Sequence, residues 1–181
     1  MTKKTVFLAA VCALLILTGL AQAQPAASGT TSLSVAVSAE AALTVNTATT
    51  NLSTASTTFG NPYTGSTTLT YLIRTGKTSG TGTLTLKITA DFAGAGGPSV
   101  GTPPTTGDAL TYTCTVSSPG TACTGSQTAS TSASTPLATW GAAASSTKAG
   151  NSASVAWSLT DDPVYAAGTY TATATFTISA T

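Results

Sequence analysis

The amino-acid sequence predicts an all-β protein, an antiparallel two-layer β-sandwich of about seven strands. Three observations carry this expectation. Apolar residues recur at every second position in six separate stretches, the pattern of a strand with one buried and one wet face. Clusters of Gly, Pro, Asn and Asp separate those stretches. No stretch repeats apolar residues at three–four spacing over several turns, as an amphipathic helix would. A closed barrel is the alternative architecture.

The chain opens with Lys3 and Lys4, then an apolar run from Val6 to Leu20, then Ala21-Gln22-Ala23. Charged start, apolar centre and small-residue end are the parts of a secretory signal peptide, with cleavage expected between Ala23 and Gln24. The apolar run is short for a membrane span, which takes about 20 residues. Cys12 lies inside that run rather than at the first mature position, which argues against lipid attachment. The expected organisation is a signal peptide over 1–23, a flexible mature N-terminus over 24–31 and a single sandwich domain over 32–181. The mature protein is expected to be exported, extracellular, cell-surface or periplasmic, with no membrane insertion after signal cleavage.

The first strand pattern runs Leu33, Val35, Val37, Ala39, Ala41, Leu43, Val45. Leu69, Tyr71 and Ile73 follow, then Leu84, Leu86 and Ile88, then Leu110, Tyr112, Cys114 and Val116. Val155, Trp157 and Leu159 make the fifth pattern. The sixth is Tyr170, Ala172, Ala174, Phe176, Ile178 and Ala180, interleaved with Thr from 169 to 177. Thr suits the wet face, being β-branched with a hydroxyl for water or a cross-strand neighbour. Thr54–Phe59 and Pro136–Trp140 are weaker strand candidates. The Ala-rich stretch from Gly141 to Ala149 is the one helix candidate, diluted by Ser, Gly and Thr. Residues 93–107 and 124–135 read as long surface loops.

The 181 residues contain six Lys+Arg, five Asp+Glu and no His; charged residues make up 6%. About a third of the chain is Thr or Ser. Cleavage at Ala23 would leave Arg74, Lys77, Lys87 and Lys148 against Glu40, Asp91, Asp108, Asp161 and Asp162, a net charge of −1. Such a balance supplies no attraction for nucleic acid. Without His, and with few carboxylates, the chain lacks the usual means of general acid–base catalysis, so no enzyme activity and no cofactor are expected. Cys114 and Cys123 are an even pair in an exported chain and are expected to form a disulfide around the turn Ser117-Ser118-Pro119-Gly120.

Other motifs favour plain structural readings. Ser145-Ser146-Thr147-Lys148 matches S-x-x-K, but the companion elements of that chemistry do not follow it. Asp161-Asp162 offers oxygens for calcium, yet Pro163 directly behind them makes a turn the simpler explanation. Arg74, Lys77 and Lys87 read as charges that guard strand edges. Asn51-Leu52-Ser53 is a glycan-acceptor triplet. Trp157 falls on a core-facing phase, whereas Trp140, beside Gly141 and a loop, is expected to be the exposed aromatic available for binding.

Thr58-Phe59-Gly60-Asn61-Pro62, the triplet Trp157-Ser158-Leu159 and the terminal run Ala167-Gly168-Thr169-Tyr170-Thr171-Ala172 resemble small bacterial surface proteins. In outline these are spore-coat-U-like and other pilin-like exported domains, and WxL-type domains. The resemblance implies an immunoglobulin-like or pilin-like sandwich with a structural or adhesive surface role, and it carries over no binding residue. WxL-type domains repeat Trp-x-Leu near the end, where this chain has Phe176-Thr177-Ile178. Usher-assembled pilins place their cysteines differently and favour an aromatic just before the terminus, where this chain has Ala180. The expected function is a structural or adhesive subunit, as in a surface appendage; the alternative is a stand-alone carbohydrate- or ligand-binding module. Expected partners are a surface glycan or protein and, through strand addition by Leu33–Val45, further copies of the chain itself.

Overall fold

The computed structural model describes residues Ser28–Thr181; the expected export signal, with Ala23 and Gln24, lies outside the described residues. Residues Ser28–Ala36 carry no regular secondary structure and belong to a separate unit from Val37–Thr181. Nine strands build the latter: β1 (Glu40–Val45), β2 (Tyr63–Arg74), β3 (Gly82–Ala90), β4 (Leu110–Val116), β5 (Thr121–Ala122), β6 (Gln127–Thr128), β7 (Thr135–Trp140), β8 (Asn151–Leu159) and β9 (Thr173–Ala180). They form two antiparallel sheets, ordered β1-β2-β8-β4-β6 and β5-β7-β3-β9. The two-layer sandwich is as expected, with the short β5 and β6 raising the strand count.

Alternation sets which residues meet between the layers. Leu69, Tyr71 and Ile73 of β2, Val155, Trp157 and Leu159 of β8, and Leu110 and Tyr112 of β4 face Leu84, Leu86 and Ile88 of β3 and Leu137 and Trp140 of β7. The intervening positions carry hydroxyls on the outer faces, several of them joined across strands. Thr83 and Ser179 share a hydrogen bond of 2.9 Å, Thr89 and Thr175 one of 2.8 Å. Such pairs stabilise a sheet by a few tenths of a kcal/mol up to about 1 kcal/mol each.

Cys114 and Cys123 are bonded, as expected, with their Cα atoms 5.6 Å apart. Cys114 belongs to β4 in the five-stranded sheet. Cys123 follows β5 in the four-stranded sheet, its N–H donating to the Leu137 carbonyl of β7 at 2.9 Å. The bridge therefore ties the two layers together at the point where the chain crosses between them. Tyr71 donates its hydroxyl to the Ser117 carbonyl in the same crossover at 2.6 Å.

Four expectations are corrected. Trp140 is not an exposed binding aromatic: it is 3% exposed, and its ring stands edge-on to Tyr71 at 4.9 Å between centroids. It sits on the inward phase at the end of β7, opposite Gly82. The Leu33–Val45 pattern is a strand only from Glu40 onward, where β2 supplies a partner. Gly141–Ala149 forms turns, not a helix, because Thr75 competes for its backbone. The Thr75 hydroxyl donates to the Gly141 carbonyl at 2.7 Å and accepts from the Ala144 N–H at 2.9 Å. Thr54–Phe59 has no strand, only the neighbouring bridge between Ser53 and Thr64.

The loop before β4 is organised by one carboxylate. Asp91 accepts the N–H groups of Phe92 (2.8 Å), Val100 (2.7 Å) and Gly101 (2.9 Å) and the Ser99 hydroxyl (2.7 Å). Burial on its own would push this carboxyl up, but the four hydrogen bonds outweigh it and hold the group below the usual carboxylate range. A depressed folded pKa contributes stability above the ordinary carboxylate pKa. That contribution is lost as pH falls through the depressed folded value. Asp91→Ala is therefore expected to cost about 1–3 kcal/mol at neutral pH. In denaturant titrations at falling pH, the gap between wild type and variant should narrow below the ordinary carboxylate range.

Candidate functional site

The sandwich is open along one side. β1 and β9 are the edge strands of their respective sheets and stand beside one another. Past Val45 the chain runs over β2 toward Leu52, while on the other side β9 does not begin until Thr173. Between these walls lies a groove of about 890 Å³, reaching in to Ile88, Leu110 and Trp157. The wall over β2 needs Gly65: a Cβ there would stand 2.8 Å from the Asn51 carbonyl oxygen and from a Leu52 methyl. The opposite wall is pinned by Tyr170, whose ring packs where any Cβ on Gly97 would lie, 2.1 Å from its Cε1.

The inward side chains of β9 show the consequence. Ala174, Phe176, Ile178 and Ala180 alternate strictly with Thr and Ser, yet each is only half-buried. Alternation turned them inward, but among the described residues no strand pairs with β9 on its free edge. Trp157, at the base of the groove, is buried; its indole N–H donates to the Thr67 hydroxyl at 2.8 Å. Thr67 is itself 5% exposed, a polar residue on the inward phase of β2 that alternation of apolar residues does not reveal.

One end of the groove is polar. The Tyr165 hydroxyl donates to Asp108 at 3.0 Å; burial, then that hydrogen bond and the nearby carboxylate charges push its ionisation far up. Asp162 is held low chiefly by the Thr105 hydroxyl, then by the Val164 N–H at 2.8 Å. Tyr63 is pushed up, first by its hydrogen bond to Asp161. These tyrosines therefore stay neutral across the physiological range, acting as donors to carboxylates in a turn. Asp161 and Asp162 thus serve the connection after β8. Among the described residues, no group of three or more His, Cys, Asp or Glu side chains is placed to hold a metal ion.

The remaining candidates lie elsewhere. Arg74 pairs with Glu40 at 3.0 Å across the β1–β2 edge, and Lys87 lies on β3 opposite Thr175. Ser145 bridges to Arg74 and Ser146 accepts the Ile73 N–H, so the S-x-x-K segment packs along the end of β2 as backbone support. Asn51 is exposed on the groove wall. No helix among the described residues is long and apolar enough to cross a membrane.

Fold and site together define the class: a disulfide-tied, charge-poor antiparallel sandwich with an open lateral groove. Comparison with known protein families, characterised proteins and solved structures finds no match.

Proposed function

We propose that this chain is an exported structural subunit of the cell surface, with an adhesive role through its exposed faces. The observation that carries the reading is the covering of the larger sheet. Thr64, Ser66, Thr68 and Thr70 of β2 stand in register with Ser158, Ala156, Ser154 and Ser152 of β8. Thr111, Thr113 and Thr115 of β4 continue the rows. This face carries no charge among those positions. It offers hydroxyls and methyls for passive packing rather than a focused electrostatic or acid–base site. A disulfide between layers suits an oxidising compartment outside the cytoplasm. The resemblance to spore-coat-U-like, pilin-like and WxL-type surface domains points the same way. A stand-alone ligand-binding module is the second reading, favoured by the groove with its aromatic and carboxylate end.

Fractionation of the source cells with surface labelling tests this reading. The expected result is protein at the cell surface, beginning at Gln24 by N-terminal mass and decorated by immunogold in electron micrographs. Retention in the cytoplasm with Met1 and Lys3 intact would overturn it.

A further inference from the structure

We infer that the lateral groove binds an amphiphilic amine, a molecule carrying one ammonium group on an extended apolar body, with the ammonium at the Asp161–Asp162 end. The inference supplies a ligand class for the second reading above and rests on the groove being a binding site, not on surface location.

The cavity sets the size and the apolar body. At about 890 Å³ it falls within the range of about 300–1,000 Å³ in which pockets enclose small organic ligands. The buried Ile88, Leu110 and Trp157 make its floor, and the half-buried Phe92 and Phe176 add aromatic wall. At the mouth, Val45 and Phe59 are 43% and 69% exposed, and both line the groove. Large apolar side chains left in water beside an apolar cavity gain by being covered. An ion or a small hydrophilic molecule would cover none of this surface.

Charge sets the head group. The lining holds Asp161 and Asp162 and, among the described residues, no Lys or Arg. The cations of the described chain stand elsewhere: Arg74 pairs with Glu40, Lys77 and Lys148 lie in the turns after β2 and β7, and Lys87 is on the outer phase of β3. Asp108 adds a third carboxylate behind Tyr165. Hydrogen bonds from Thr105 and Val164 hold Asp162 below the usual carboxylate range, so it is negative at neutral pH. Asp161 is half-buried and receives the Tyr63 hydroxyl; an ionised carboxylate has about four acceptor sites, so capacity remains for an N–H donor. With the Tyr63 and Tyr165 hydroxyls engaged by Asp161 and Asp108, this end offers an incoming group acceptors and aromatic rings. Both attract an organic ammonium in a partly desolvated site. An anionic amphiphile is repelled there, and a neutral one leaves the carboxylates unpaired.

The test uses the purified, disulfide-bonded protein and three fluorescent probes that share one body: dansylcadaverine, its N-acetylated neutral form, and dansyl-aminohexanoate. Dansylcadaverine is expected to bind one-to-one with brighter, blue-shifted emission. The neutral form should bind about tenfold more weakly, the difference expected for one charge-assisted hydrogen bond, and the carboxylate more weakly still. Asp161→Asn should lower the amine to the neutral probe's affinity and leave the neutral probe unchanged. Phe59→Ala, changed at an exposed position, should weaken all three probes by a similar factor. Added salt should weaken the amine alone on wild type, which keeps the test decisive even where Asp161→Asn fails to fold. Equal binding of amine and neutral probe would overturn the inference while leaving the groove a ligand site. A folded Asp161→Asn that binds the amine like wild type would overturn it too. Binding of none of the probes would sink the inference and the second reading together. Surface location is read on cells and stands apart from all of these outcomes.

Discussion

Trp157→Ala is expected to lower the free energy of unfolding by about 3–5 kcal/mol, the range for removing a large buried aromatic. Trp157 is buried in the middle of the five-stranded sheet, flanked by Gly65 on β2 and Tyr112 on β4. Its ring lies 5.6 Å from that of Tyr112. Truncation would enlarge the groove from below and leave the Thr67 hydroxyl without the indole donor. Trp157→Phe separates the two effects. It keeps most of the ring contact and leaves the Thr67 hydroxyl its 2.6 Å hydrogen bond with Thr50, so it should cost about 0.5–1.5 kcal/mol, the net contribution of one hydrogen bond. Urea denaturation of wild type and both variants gives the ordering directly. Equal midpoints for Trp157→Phe and wild type would show that the Trp157–Thr67 hydrogen bond contributes nothing.

Removing the bridge by Cys114→Ser/Cys123→Ser is expected to cost about 2–3 kcal/mol, the amount for a short closed loop. The chain-entropy account ascribes this to the unfolded state, so most contacts of the folded core should survive. Here the bridge also joins β4 to the strand crossing into the other sheet, next to the Tyr71–Ser117 hydrogen bond. Hydrogen exchange should therefore rise first in β5 and the Ser117–Gly120 crossover, before β2 and β8. A uniform rise across all strands would show that the bridge acts only through the unfolded chain. Wild type with added reductant should reproduce the variant's urea midpoint.

Much of the fold was legible because alternation is a local property. Whether residues two apart share an apolar character depends on no distant part of the chain, and Leu84-Leu86-Ile88 or Val155-Trp157-Leu159 announce a two-faced strand on their own. The same locality explains the misses. β2 extends back to Tyr63, but Gly65 and Thr67 interrupt its apolar phase. Gly65 is there for the close passage of Asn51 and Leu52, and Thr67 for the Trp157 N–H, partners far away in sequence. Trp140 looked exposed because Gly141 follows it, yet its burial is decided by Tyr71 on the other sheet. Of the groove, only the Thr-interleaved β9 was visible in advance. The emptiness beside β9 was not.

An all-β chain with Thr-covered outer faces, an apolar inner face and one cysteine pair suited to bridging can be read from the residues alone. Those are properties of side-chain chemistry repeated at period two. The strand order, the β1–β2 pairing that stops at Glu40, the burial of Trp140 and Thr67, and the open side between β1 and β9 arise from contacts between distant segments. The physical reason is that an inward-facing residue becomes buried only when another strand or layer lies over it. Which strand does so depends on pairings between segments many residues apart, such as Gly82 with Ala180.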